Sequence, residues 1–128
     1  MAKILYLNQG VQEARQPSRS LLEVTANRDF ATSDANQFLF SDSTSDITLT
    51  LTTIPNTANT LERWELGTEI EVCQYNTGVV TINEGANVQI LAYGSSAPLS
   101  LLGSGAVGVL KLIKQDATTD SWLFIGYA

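Results

Sequence analysis

Short runs in which apolar and polar residues alternate dominate the chain from about residue 21 onward. The clearest run is Ile47 to Thr52, ITLTLT, with apolar side chains on every second position and threonines between them. A period of two places the apolar residues on one face of a β-strand and the polar residues on the other. Similar strand-like runs are Leu22–Val24, Gln37–Phe40, Thr68–Gln74, Val79–Ile82 and Asn87–Leu91. No window shows a convincing helical period, so the pattern predicts an all-β protein.

The connections between these runs are short and polar. In GVVTINEGANVQI, residues 78–90, two strand-like runs flank Asn-Glu-Gly, and Val80, Ile82, Val88 and Ile90 are expected to face one way. Such spacing favours antiparallel hairpins. The predicted fold is an antiparallel β-sandwich or flattened barrel of short strands, about eight to ten in number.

The last two runs differ because they are apolar on both faces. Ala106–Lys114 reads AVGVLKLIK, and Trp122–Ile125 reads WLFI. A strand that is apolar on both faces is either central in its sheet or lies at a subunit contact. The residues predicted to form an oligomer interface are Val107, Val109, Leu110, Leu112, Trp122 and Phe124.

The first residues have a different composition. A brief apolar patch, Lys3–Leu7, is followed by a polar stretch with a glycine, a proline and two arginines. This organisation predicts an extended N-terminal arm over residues 1–23 and a β domain over residues 24–128, although an edge strand with its loop remains open as an alternative. The residues predicted to attach the arm to another protein are Ile4, Leu5, Tyr6, Leu7, Arg15 and Arg19.

Charge and composition exclude several classes of partner. The 128-residue chain carries seven basic and 13 acidic residues, a formal net charge of −6. Nucleic-acid binding needs clustered Lys and Arg, so it is not expected, and binding to an anionic membrane is disfavoured for the same reason. The chain has no histidine, which removes the commonest general base and metal ligand. No cofactor is expected.

Few residues suggest chemistry. Glu69 and Glu71 share a strand face and could flank a glycosidic bond, but solvated strand residues explain them better. Asp116 and Asp120 bracket a turn and are expected to cap its backbone rather than to bind calcium. Cys73, the single cysteine, reads as a small strand residue.

Aromatic residues in loops suggest a second kind of site. Trp64 and Tyr93 fall outside the strand-like runs, where they could form an exposed platform for stacking against a sugar. They are the predicted glycan contacts if the protein recognises a host surface.

The order of the runs resembles a small β domain of tailed-phage virion proteins. The matching segments cover about residues 24–128 and include ITLTL, GTEIEVCQ, GVVTI, GAVGVLKLIK and DSWLFIG. In that family the domain occurs in capsid decoration proteins, head fibres and tail fibres. The resemblance implies a non-enzymatic structural module that is often trimeric.

Only about twenty residues precede the domain, and they contain no shaft-like repeat. The chain is therefore expected to be a capsid decoration, or cement, protein that binds the major capsid protein. It would be made in the host bacterial cytoplasm and would lie on the outer surface of the virion. The alternatives are a head-fibre or tail-fibre module that binds host glycans, and a small carbohydrate-active enzyme that uses Glu69 and Glu71.

Overall fold

The computed structural model describes residues 20–54 and 63–128, which form two β-sheets around one apolar core. The strands of these residues are β1 Leu21–Glu23, β2 Arg28–Asp29, β3 Phe38–Ser41, β4 Ile47–Leu51, β5 Glu69–Gln74, β6 Val80–Glu84, β7 Val88–Ala92, β8 Leu99–Ser100, β9 Val107–Gln115 and β10 Asp120–Gly126. The helical part of the same residues is a 3₁₀ turn at Thr32–Asp34. The all-β sandwich predicted from the sequence is confirmed.

The strands alternate between the sheets. A six-stranded sheet has the order β1-β3-β5-β9-β10-β7, and a four-stranded sheet has the order β2-β4-β6-β8. From β1 to β9, each described strand therefore lies in the sheet opposite to the strand before it. Strands β1, β3 and β5 pair in parallel, as do β2, β4 and β6, and β7 pairs in parallel with β10. The sheets are mixed, and the antiparallel arrangement predicted from the short connections is wrong for these pairs.

The segment GVVTINEGANVQI shows why the hairpin prediction fails. Its two strands are β6 and β7, which belong to different sheets, so the turn between them crosses from one layer to the other. Val80, Ile82, Val88 and Ile90 are all buried, but they reach the core from opposite sides, so the prediction that they face one way is wrong. A hairpin and a crossing turn both bury every second residue, so alternation does not distinguish them.

The core lies between the sheets. In β4, Ile47, Leu49 and Leu51 are buried while Thr48 and Thr50 stay partly exposed, which confirms the alternation predicted for this strand. The largest fully buried apolar side chains come from both sheets and from the loop before the 3₁₀ turn: Trp122, Phe30, Leu39, Leu49, Leu51, Ile70, Ile82, Leu99, Leu110 and Leu112.

Two buried carboxylates hold the loops at the ends of the sheets. Asp34 accepts hydrogen bonds from both Arg28 Nη1 and Nη2, at 2.8 and 3.0 Å, and from the Ala31 N–H at 2.7 Å. Asp120 pairs with Arg63, whose guanidinium also donates to carbonyls of the β9–β10 turn. Each carboxylate thereby ties chain segments that the sheet ladders do not join.

One close backbone approach depends on the absence of a side chain. Gly108 lies in β9 directly below the Phe124 ring of β10, and a Cβ on Gly108 would overlap two carbons of that ring. The glycine in AVGVLKLIK therefore makes room for an aromatic core residue on the neighbouring strand.

The domain begins before the boundary predicted from the sequence. Leu21–Glu23, placed in the predicted arm, form β1 and pair with Phe38–Phe40 of β3. The preceding arm residues, 1–19, lie outside the described part of the chain.

Candidate interaction surface

Strand β9 separates the predicted interface residues into two groups. Leu110 and Leu112 are fully buried in the domain's own core, whereas Val107 and Val109 alternate with them and lie half-buried on the other face of the sheet. β9 runs between β5 and β10, so it is a central strand. The assignment of Leu110 and Leu112 to an oligomer interface is therefore corrected, because their apolar surface is already covered within the chain.

Strand β10 requires the same correction. Trp122 and Phe124 point into the core, and the outward positions of this strand belong to Leu123 and Ile125. The sequence prediction placed Trp122 and Phe124, the bulkier residues of WLFI, at the interface, whereas the structure buries both in the core. The useful signal was the alternation itself, which assigns Leu123 and Ile125 to the face opposite Trp122.

Three adjacent rows of outward side chains carry most of the outward apolar residues of the six-stranded sheet, and a further row holds Gln89, Ser121 and Lys114. The register of the strands places Leu21, Phe38, Glu71, Val109 and Ile125 side by side in the middle row. Tyr93 follows Ile125 in this row, because both line the same shallow cavity at the end of β7. Ile125 is 59% exposed, Leu21 is 70% exposed and Tyr93 is fully exposed.

The rows on either side extend the apolar area. One flanking row contains Glu23, Phe40, Cys73 and Val107, with Tyr127 next to Val107 through a backbone hydrogen bond. The other flanking row contains Glu69, Lys111, Leu123 and Leu91. We call the surface formed by these three rows the outer sheet face.

The outer sheet face carries four charged residues, Glu23, Glu69, Glu71 and Lys111. Lys111 Nζ lies 3.2 Å from Glu69 Oε2, across the β5–β9 pair. Glu69 and Glu71 do share a face, as the sequence predicted, and that face is the partly exposed one. Their setting on an open sheet next to a lysine is that of strand surface residues.

The outer face of the four-stranded sheet is chemically different. Its outward positions are Thr48, Thr50, Thr81, Asn83, Ser100 and the exposed Asp29 of β2. Thr81 and Ser100 join their hydroxyls across the β6–β8 pair at 3.0 Å. Hydroxyls and amides suit contact with water, so one face of the sandwich is built for solvent and the other is not.

The two predicted glycan contacts separate in the structure. Trp64 is 4% exposed, donates its Nε1–H to the Thr52 carbonyl at 2.8 Å, and packs edge-on against Trp122 with ring centroids 5.7 Å apart. The exposed-platform assignment of Trp64 is therefore wrong. Tyr93 is fully exposed beside a cavity of about 320 Å³. A loop position does not imply exposure when an apolar ring can reach the core.

The remaining candidate residues have structural roles. Asp116 accepts the N–H groups of Thr118 and Thr119 at 2.9 and 2.7 Å, which lowers the pKa of its carboxyl and confirms the predicted turn cap for this residue. The cap predicted for Asp120 is wrong, because its carboxylate binds the Arg63 and Gln115 side chains instead. Burial raises the pKa of the Cys73 thiol, which lies between Phe40 and Val107 on the outer sheet face.

The described residues contain no group of three or more His, Cys, Asp or Glu side chains arranged to hold a metal ion. In the same part of the chain, no helix is long and apolar enough to cross a bilayer. The arm residues predicted to make the attachment, Ile4 to Leu7 with Arg15 and Arg19, lie outside the described residues. The chain matches no protein-family model, and no curated protein sequence matches it.

Proposed function

We propose that this protein is a structural virion protein that decorates a phage capsid as an oligomer, with the major capsid protein as its partner. The observation that carries the proposal is the outer sheet face, an apolar surface that spans the larger sheet of a small domain. Such a surface costs free energy in water and marks a site of association.

The physical role follows from repetition. Packaged DNA exerts an outward pressure on the capsid shell. A protein that bridges the shell's subunits opposes this pressure by adding buried contact area at every copy. A specific contact of ordinary size buries about 1,600 Å² in total. A rigid sandwich buries its outer sheet face against another copy without ordering new segments, which keeps the entropic cost of that contact low.

The sequence resemblance points the same way. The segments that resemble the phage domain correspond to β4, β5, β6, β9 and β10, and β5 and β9 form the middle of the outer sheet face. The resemblance implies a trimer, and the arm is proposed to attach each copy to the capsid.

The test uses empty, expanded phage capsids from which the protein has been removed. Purified full-length protein is added, and bound protein is measured by co-sedimentation and by the resistance of the capsids to heat. We expect saturable binding and a higher capsid melting temperature.

A chain that lacks residues 1–19 serves as the attachment variant, since the described domain begins after them. We expect weaker binding from this variant, with unfolding of the β domain unchanged. Full-length, folded protein that neither binds nor stabilises the capsids would contradict the decoration function.

Host-glycan binding is the second candidate, and the exposed Tyr93 ring beside its cavity is the observation in its favour. An exposed aromatic face next to a shallow cavity suits stacking against a sugar ring. A glycan array tests host-glycan binding, with Tyr93→Ala as the variant. Tyr75→Ala is the control, because Tyr75 is another exposed tyrosine. Equal signals from both variants would exclude Tyr93 as the contact.

A further inference from the structure

We propose that two copies of this chain associate through the outer sheet face, about a two-fold axis that runs parallel to the strands between β5 and β9. The inference rests on the proposed function only for the premise that copies of this chain assemble, and it replaces the trimer implied by the resemblance with a two-fold pair. Its geometry comes from the strand order and register alone.

The face is a better contact than the sheet edges. At one edge, the Glu84 carboxylate accepts the outward N–H of Ile90 in β7 at 2.7 Å, so this donor is not available to an added strand. At the other edge, β1 has three residues. Capped or very short edge strands discourage edge-to-edge pairing, and association is left to the face.

The strand order makes the face self-complementary. The sheet has six strands, and its midpoint lies between β5 and β9. Rotation by half a turn about an axis at this midpoint places β5 over β9 of the second copy, β3 over β10, and β1 over β7. Rows stay level because the axis is parallel to the strands, so each residue meets a partner from its own row.

Apolar residues then meet apolar residues away from the axis, whereas next to the axis Glu71 lies over Val109 of the second copy. In the middle row, Phe38 lies over Ile125 of the second copy, and Leu21 lies over Tyr93. In a flanking row, Phe40 lies over Tyr127. The symmetry repeats each contact on the other side of the axis, as in any isologous interface.

The charged row is complementary as well. Glu69 of β5 lies over Lys111 of the second copy, and Lys111 lies over its Glu69. Glu71 lies one row away from that lysine, about 6.6 Å along the strand, within reach of a long side chain. A head-to-head arrangement with the axis perpendicular to the strands would reverse the rows and lose the Glu69–Lys111 match.

The area is sufficient for a specific contact of modest strength. The fifteen side chains of the three rows each cover about 4.8 by 6.6 Å, or about 480 Å² in total per copy before side-chain relief is counted. Two copies bury about 1,000 Å², the lower bound for a specific interface. A dimer that dissociates on dilution is therefore expected.

The first test measures molar mass over a wide range of protein concentration by sedimentation velocity and light scattering. We expect a species of twice the 13.8 kDa subunit mass that dissociates on dilution. Ile125→Glu should weaken association at least about tenfold, since it places a carboxylate in an apolar contact. Thr50→Glu, the same change on the other sheet's outer face, should leave association unchanged. Thermal unfolding verifies that both variants fold.

The second test uses charge swaps that depend on the two-fold geometry. The Lys111→Glu variant carries carboxylates at both positions 69 and 111, and the Glu69→Lys variant carries ammonium groups at both. Each variant alone should therefore dimerise poorly, because like charges would face each other. Mixed together, they place opposite charges over each other at both positions, and the heterodimer should form at least about tenfold more tightly than either homodimer.

Monomers at every concentration, a trimer, an unaffected Ile125→Glu variant, or no gain on mixing would each overturn the two-fold contact. Capsid binding is scored separately. A dimer that fails to bind capsids contradicts the decoration function alone, and a monomer that binds them contradicts the two-fold contact alone.

Discussion

Removal of the Asp34 carboxylate should destabilise the domain far more than removal of a neighbouring acid. Asp34 is fully buried, yet it accepts two hydrogen bonds from the Arg28 guanidinium and one from the Ala31 N–H. The hydrogen bond to Asp34 is the main cause that raises the pKa of Arg28. Asp34→Ala removes all three acceptor contacts at once.

The magnitude follows from the groups left behind. An unsatisfied buried N–H costs about 1–3 kcal/mol, and a hydrogen bond to a charged group contributes about 1.5–3 kcal/mol. The Arg28 side chain is 33% exposed, so water recovers part of its loss. We therefore expect a decrease of about 3 kcal/mol in the free energy of unfolding, a large share of the about 5–15 kcal/mol typical of a domain.

Urea unfolding followed by tryptophan fluorescence measures this decrease, because both tryptophans are buried. With a slope of about 2 kcal/mol per molar urea, the midpoint should fall by about 1.5 M. Asp29→Ala is the matched control: Asp29 is an exposed acid beside Arg28, and its loss should change the free energy by less than about 0.5 kcal/mol. Equal midpoints for Asp34→Ala and Asp29→Ala would contradict a stabilising role for the buried carboxylate.

Three further outcomes are expected. Gly108→Ala should lower the free energy of unfolding by about 1–3 kcal/mol in urea titrations, because its methyl group would overlap the Phe124 ring; no loss would show that the ring moves freely. Glu84→Ala should increase light scattering by folded protein, since it frees the edge N–H of Ile90; unchanged scattering would contradict the capping role. Burial raises the pKa of the Cys73 thiol, so its alkylation should be slow at neutral pH and should accelerate as the pH rises. An alkylation rate equal to that of the urea-unfolded chain would contradict this burial.

The local alternation of apolar and polar residues was enough to predict most of the strands. In β4, ITLTL specifies both the strand and its buried face, since a shift by one residue would expose three aliphatic side chains. The Asp116 cap was predicted for a similar reason, because it is made within four residues of the chain.

Partner choice between strands was not predictable from the same signal. Phe38 pairs with Glu71 and Glu69 with Lys111, positions far apart in sequence. The turn after β6 has hairpin-like composition although it connects two sheets. Pairing depends on how whole layers fill the core, which a local window does not contain.

The residues predicted to lie at the surface were partly wrong for the same reason, because a local window does not show which large side chains fill the core. Trp64 and Trp122 are large enough to be surface anchors, but together they fill one corner of the core. Ile125 and Leu123 were not predicted as surface residues, because all four residues of WLFI are apolar. Sheet register was needed to show that these smaller residues join Phe38, Phe40 and Val109 in one continuous area.

The alternation of consecutive strands between the layers also affects how the chain folds. Neither sheet can be assembled hairpin by hairpin: Phe38 must find Glu71, and Val88 must find Asp120, before most of the ladder exists. Among the strands of residues 20–54 and 63–128, only β9 and β10 pair as neighbours in sequence. Distant pairing slows the search for the native state, so refolding is expected in milliseconds to seconds, within the range of sandwiches rich in non-local contacts. The same interleaving joins early and late segments in each layer, so a cut in the middle of the chain would leave neither fragment with a complete sheet.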